Sequence, residues 1–336
     1  YTTTTAGIKG HSEADVLEMT KQFDLFTIGV NEFYGRDEVS GIHSMFTDST
    51  PDLEYQNMRL VDDIQISIGS AHSGYPIMST SFPRQKTASL FEATNNWMLG
   101  HEIGHNQAAN WLNVTGAGET ANNVLALYTQ DRNTGDMPRI KVSIKNAIEW
   151  ANGEHPWADG TNADRLNFFG QLKVWAEDNF DIAQWESQAK LVEEHSIYNK
   201  NEAGQYDQGW NFYKYLHRAA RMPETFTEGL NKGDVNYCSS EFAQLNSLSN
   251  QDMMMICSSF LTGKDIETFF TTWKFGESKV TLQSGDKYSV GISGTALAVM
   301  KDMRNQGVIL TSKTSPLTIN ATKSKEVMLP QVPYFH

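Results

Sequence analysis

The chain has 336 residues, 39% of them hydrophobic, with 8 Trp, 12 Tyr and 17 Phe, a composition that buries a core and excludes a disordered polypeptide. Its formal net charge of −13 argues against nucleic-acid and anionic-membrane partners, which recruit basic patches. No run of about 18 apolar residues is present, so no membrane span is expected within it.

The opening Tyr1-Thr-Thr-Thr-Thr, without a methionine, reads as the start of a fragment or a processed form. From His11 to Phe23 the apolar set Val16, Leu17, Met19 and Phe23 predicts a first helix, with Ser12 as its N-cap. Leu25–Val30 either prolongs that helix or forms a strand. Asp37–Pro51 is loop by its Gly, Asp, Ser and Thr content. In Leu60–Ile68 the alternation of Ile64, Ile66 and Ile68 predicts a half-buried strand, the best candidate for an edge that pairs with extended substrate. Gly69–Pro76 is a turn, and its His72 reads as a solvated histidine rather than a metal ligand.

Ser89–Ala109 is predicted as one helix despite Gly100 and Gly104, each costing about 1 kcal/mol against alanine. Such a conflict with propensity is expected where a site needs space. Asn113–Gly118 is a turn, and a helix begins near Glu119. Further helices are predicted at Ile140–Trp150, Asp164–Glu177, Ala183–Glu194 and Trp210–Arg221. Within the second of these, Leu166, Phe168, Phe169, Leu172, Trp175 and Ala176 make a core face; farther on, in Asp234–Cys257, the run Met253–Met255 reads as adaptable core filling. Gly263–Trp273 contains one more short helix, with Asp265 near its start. Beyond Gly276 the pattern turns to Val, Thr, Ser and Gly, then to a helix at Ala296–Asn305 and an irregular tail. Cys238 and Cys257 are the only cysteines; a disulfide between them suits an exported protein, and two buried thiols are the alternative.

The chemistry centres on Trp97-Met-Leu-Gly-His101-Glu102-Ile-Gly-His105. Positions i and i+4 share a helix face, so His101 and His105 are placed to hold one metal ion, with Glu102 as general base beside a water. A catalytic zinc keeps three protein ligands. Glu119, fourteen residues after His105 and beyond a glycine turn, is the expected third. The plainer reading of Glu119 is an acid favoured by a helix N-terminus. Asn122 and Asn123 follow three and four residues later; they are expected either to orient ligands or contact substrate, or to serve as ordinary caps. Trp97, four before His101, is either a core tryptophan or a cleft wall that stacks on substrate. His195, Tyr206, Tyr213 and His217 are candidates for stabilising the oxyanion.

The run Trp97-x-x-Gly-His-Glu-Ile-Gly-His-Asn-Gln, then Gly118-Glu119-x-x-Asn122-Asn123, resembles the M60-like (enhancin-type) peptidases. Ser73-Gly-Tyr75-Pro-Ile77 and Gly263-Lys-Asp-Ile-x-x-Phe-Phe-x-x-Trp273 carry the same resemblance, which spans about residues 60–275. Within that family the chain is similar to the catalytic domain of secreted bacterial mucinase lipoproteins of the accessory colonization factor D type. The resemblance implies a gluzincin with one zinc ion on His101, His105 and Glu119, Glu102 as base, and cleavage of mucin-type O-glycoproteins. It places Tyr75 with Trp97, Asn122 and Asn123 among candidate substrate-binding residues, and implies export or surface attachment as part of a larger protein. Thr272-Trp-Lys-Phe departs from the expected Trp-Gly pair, a matter of packing.

The expected fold is α+β and mainly helical, a zincin-like catalytic domain over 1–336. Its strand-containing N-terminal lobe takes about 1–110, a helical lobe about 111–275, and a mixed C-terminal segment about 276–336. Two other functions compete with a mucin-directed zinc endopeptidase: a glycan-binding surface adhesin with secondary cleavage, and a general metallopeptidase for unglycosylated peptides.

Overall fold

The computed structural model describes residues 12–36, 60–62, 66, 69–74, 76–79, 93, 96–107, 110–134, 157, 160–193, 196–200, 204–221, 235–273, 279–281, 287–289, 291–314 and 316. In chain order the elements are α1 (Glu13–Phe33), β1 (Leu60–Asp62), β2 (Ala71–His72), β3 (Ile77–Ser79), α2 (Trp97–Gln107), α3 (Gly118–Ala121) and α4 (Asn123–Thr134). Then follow α5 (Asn162–Asn179), α6 (Gln188–Leu191), α7 (Gln208–Arg221), α8 (Ser240–Leu245), α9 (Asn250–Thr262), β4 (Lys264–Asp265), α10 (Glu267–Thr272), β5 (Lys279–Thr281), β6 (Lys287–Ser289), α11 (Gly294–Asn305) and β7 (Leu310–Thr311). The protein is mainly helical with a few short strands. It divides into two compact units, one of residues 1–108 and 122–136, the other of 109–121 and 137–336. Residues 122–136, expected in a later lobe, therefore belong with the first.

In the first unit, Ser12 caps α1 through a reciprocal pair with Asp15, and the helix runs on through Phe33, so Leu25–Val30 prolongs it. Its buried face, Phe26, Val30 and Phe33, packs on α4, where Phe33 stacks on Tyr128 with ring centroids 5.1 Å apart. A charged staple fixes the same pair of helices. Arg132 forks onto Glu32 at 2.8 and 3.0 Å, and the Tyr128 hydroxyl donates to Glu32 at 2.9 Å. Burial opposes the Arg132 charge, yet Glu32 outweighs it and holds the guanidinium above its ordinary pKa.

The sheet of this unit has the order β1-β3-β2, with β1 parallel and β2 antiparallel to the central β3. The expected strand over 60–68 is thus a strand at 60–62. Ile64 and Ile68 lie outside the described residues, as do the 37–51 loop and the 140–150 helix. The antiparallel edge is Ala71–His72, inside the segment expected to be a turn.

The second unit is built on α5 and α7. Leu166, Phe168, Phe169, Leu172, Trp175 and Ala176 are all buried, and Phe168 sits in an aromatic cluster with Trp157, Phe269, Phe270 and Trp273, ring centroids 4.8–5.7 Å away. Met253, Met254 and Met255 fill the core along α9. Cys238 and Cys257 form a disulfide with Cα atoms 4.9 Å apart. The helix expected over 183–194 is interrupted. A 3-10 turn at Ile182–Gln184 precedes α6, and Ser187 restarts the chain by accepting the Lys190 N–H. Asp265 falls in β4 rather than in a helix, and it accepts the Glu267 N–H at 3.1 Å to start α10.

Candidate metal centre

The metal helix starts later than its sequence pattern suggests because Asn96 caps it. The Asn96 side chain accepts the Leu99 N–H at 2.9 Å, one of the donors that a helix start otherwise leaves unpaired. From there the 3.6-residue period puts His101 and His105 on one face, their rings edge to face with centroids 4.8 Å apart. Their Nε2 atoms face each other at 3.2 Å.

Hydrogen bonding assigns the protons of these rings. His101 Nδ1 is 2.8 Å from Asn123 Oδ1, an oxygen that only accepts, so Nδ1 carries the hydrogen and Nε2 keeps a lone pair. Asn122 Nδ2 donates to the His101 carbonyl at 3.1 Å and lies 3.0 Å from His105 Nε2. The carbonyl contact orients the amide, which makes His105 Nε2 an acceptor as well. His101 Nε2 therefore presents a lone pair beside His105 Nε2, whose own lone pair accepts from Asn122, so that metal binding at His105 would exchange this hydrogen bond for the ion. Nitrogens about 2.0–2.1 Å from a tetrahedral zinc ion would stand about 3.3 Å apart, so the spacing observed fits such an ion. Glu102, 7% exposed, completes a cluster in which the ligand atoms of His101, Glu102 and His105 all lie within 4.8 Å of one another.

The asparagines reach the rings because α2 and α4 approach unusually closely. A Cβ on Gly104 would stand 2.3 Å from the Asn122 carbonyl oxygen, and one on Gly100 would stand 2.9 Å from Ala126 Cα. No side chain fits at either place, which accounts for two glycines in a helix that pays for them in propensity. Asn122 itself breaks the helix expected to run from Glu119 through Tyr128. α3 ends at Ala121 and α4 begins at Asn123, so Glu119 and the two asparagines do not share one continuous helical face. Asn122 Oδ1 is buried and has no hydrogen-bond partner among the described residues.

Glu119 is exposed at the second residue of α3, within the second unit. The turn that leads to it is held by Trp157 Nε1, which donates to the Thr115 carbonyl at 3.0 Å, and by Arg165 Nη1, which donates to the Gly116 carbonyl at 2.7 Å. Trp97 is half-buried at the first residue of α2. His72 turns Nδ1 to the Ser73 carbonyl at 2.8 Å. Tyr75 and His195 lie outside the described residues. Tyr213 is fully buried; its hydroxyl donates to the Phe169 carbonyl at 2.8 Å, and burial pushes its pKa well up. Tyr206 donates to the Leu191 carbonyl at 3.2 Å, and His217 is buried on α7. Sequence reasoning passed over Asn96 and Asn106, which flank the histidine pair. The signal for Asn96 was its place just before the apolar run. Asn106 pairs with Gly74 on the hairpin turn, a contact between residues 32 apart that no local pattern announces.

A family described as peptidase M60, enhancin and enhancin-like, matches residues 1–274. The putative lipoprotein YghJ of Escherichia coli is 38% identical over 307 residues, 88% of this chain and 19% of its own length. The accessory colonization factor AcfD of Vibrio cholerae is 34% identical over 316 residues, 90% of this chain and 19% of its own length. The chain thus spans about a fifth of the length of these relatives. A metallopeptidase from Bacteroides thetaiotaomicron superposes with a TM-score of 0.51 at 13% identity, covering 93% of this chain and 45% of that one, a likeness of fold.

Proposed function

The chain belongs to the M60 family of enhancin and enhancin-like peptidases, and on that premise we propose that it is a zinc-dependent endopeptidase that cuts mucin-like, O-glycosylated proteins. The observation that carries the reading is the facing Nε2 pair of His101 and His105, 3.2 Å apart, with the buried Glu102 beside it. Two imidazoles favour zinc over harder ions. Glu119 is the third ligand in this reading, supported by its place fourteen residues on and by the family pattern. A zincin-like, gluzincin arrangement follows from that ligand set.

His101 and His105, with Glu119, would hold a divalent ion, which would supply Lewis acidity toward a water and the scissile carbonyl. The chain's own residues do the rest. Asn123 holds His101 in the tautomer that presents Nε2, and Asn122 holds the backbone of the same helix. Glu102 takes a proton from the attacking water on its carboxylate and returns it to the leaving amine nitrogen. Trp97, half-buried at the start of the metal helix, offers an aromatic surface to substrate. Export and surface placement are supported by relatives named as lipoproteins and as a colonization factor.

The test is a digest of one synthetic mucin peptide, with and without its O-linked sugar and with and without chelator, read by mass spectrometry. Cleavage of the glycosylated form, lost on chelation, is expected. Glu102→Ala is expected to keep zinc and lose about 10²–10⁴-fold in rate, the range for a general base. Unchanged cleavage by that variant with zinc bound would remove Glu102 from the mechanism. Equal cutting of the bare peptide points to a general metallopeptidase. Glycan binding that survives chelation without any cleavage points to an adhesin.

A further inference from the structure

Asn106 follows His105 directly and lies in the last turn of α2. Its side-chain amide takes both backbone groups of a single distant residue: the Gly74 N–H donates to Asn106 Oδ1 at 2.9 Å, and Asn106 Nδ2 donates to the Gly74 carbonyl at 2.9 Å. Two reciprocal bonds to one residue are what an antiparallel strand neighbour makes at a hydrogen-bonded pair. Asn106 thus acts as a one-residue strand partner set on the metal helix. Aspartate has the acceptor but lacks the donor, and its carboxylate would face the Gly74 carbonyl.

Gly74 lies at the tip of the β2–β3 hairpin with φ +124°, a conformation cheap only for glycine. A Cβ there would meet Pro76 O at 3.6 Å, an ordinary contact, so backbone conformation rather than crowding demands the glycine. The hairpin is fastened at both ends. At its open end the Ser79 hydroxyl donates to the Ser70 carbonyl at 3.1 Å; at its tip, Gly74 is tied to the residue after His105. Among the side-chain bonds of the described residues, the Asn106 pair is the one that ties the tip of this hairpin to the metal helix.

We propose that Asn106 is a positioning residue for substrate: by clamping the hairpin tip to the metal helix, it sets the register in which a bound peptide lies against His101 and His105. The proposal rests on the peptidase reading above. Asn106 touches neither the ring nitrogens nor the Glu102 carboxylate in any bond the structure shows, so it acts through the hairpin.

Three measurements on the zinc-loaded chain test it. Amide exchange at Gly74 should accelerate at least tenfold in Asn106→Ala. Affinity for a synthetic O-glycosylated mucin peptide, measured by fluorescence anisotropy on the Glu102→Ala background, should weaken about tenfold when Asn106→Ala or Gly74→Ala is added. In the active chain, Asn106→Ala should raise KM about tenfold and leave kcat and zinc affinity within twofold. Asn106→Asp, which keeps one of the two bonds, should reproduce the loss and stands in if the alanine variant does not fold. Gly69→Ala is the matched control, because Gly69 (φ +64°) strains the same hairpin without a tie to the helix; it should lower the melting temperature and leave peptide affinity unchanged. Peptide affinity unmoved while Gly74 exchange accelerates overturns the proposal. So does a fall in zinc affinity with KM unmoved, which would assign Asn106 to the helix alone. If the unaltered chain cuts no peptide at any metal loading, the peptidase reading fails, while exchange and affinity still decide the role of Asn106.

Discussion

Asn123 gives His101 its working tautomer with one bond, and that bond makes a prediction about metal binding. Truncation of a group that orients a ligating imidazole costs about 10–100-fold in metal affinity. Asn123→Ala should therefore weaken zinc binding by that range, measured by competition with a chromophoric chelator, with the melting temperature of the zinc-free chain little changed. An unaltered zinc affinity would remove Asn123 from the site. The histidines and Glu102 were legible in the sequence because their chemistry and spacing coincide within little more than one helical turn. The asparagines were legible as polar residues in an apolar helix, but which ring each one meets was not. That depends on the break at Asn122, and no periodicity encodes a break.

At the scale of elements, the crossing of α2 and α4 determines the site, and Gly104 is its tightest point. Alanine there would press Cβ onto the Asn122 backbone, which has no rotamer to yield. Overpacking of this kind costs about 1–3 kcal/mol, and the α4 backbone is already anchored by Arg132 and Tyr128 on Glu32. Gly104→Ala should lower the melting temperature and weaken zinc binding together, because moving Asn122 also moves Asn123. Gly294→Ala, at the start of α11 with nothing within 4 Å of the added Cβ, should be neutral or slightly stabilising in the same thermal scan. A silent Gly104→Ala would mean that the helices part freely. Helix identities were well marked in the sequence, since α1 and α11 begin at capping serines, Ser12 and Ser293, and α5 has a dense set of buried apolar residues. Boundaries were less so. Ser187 and Asn122 interrupt segments whose period continues on either side: Ser187 spends its side chain on starting α6, and Asn122 spends its own on the metal helix. The short strands were hidden by length: two or three residues carry no alternation to read.

For the whole molecule, the cysteine pair makes a testable contribution to stability. The sequence offered this pair and left open a disulfide against two buried thiols, a choice that turns on Cys238 and Cys257 meeting across the turn before α9. The linked residues are 19 apart, and closing a loop of that size stabilises by about 3 kcal/mol in the chain-entropy account. Reduction should lower the melting temperature of the second unit by several degrees, seen as a shift between calorimetric scans with and without reductant; coincident scans would mean the bond adds nothing. A bond of this kind persists in oxidising surroundings, in keeping with an exported protein.

The chain leaves the first unit at residue 109 and rejoins it at residue 122, and this has a consequence for biogenesis. His101, Glu102 and His105 emerge from the ribosome or translocon before the residues that hold them. A nascent chain ending near Gln107 would carry His101, Glu102 and His105 with the Asn96 cap and the Gly74 hairpin, but no α4 to pack on α2 and no Asn123 to set a tautomer. The candidate metal centre is thus expected to mature late, once synthesis has passed Thr134, rather than when the motif is complete. A chain stalled or nicked inside that excursion would display the signature of a peptidase without the means to organise it.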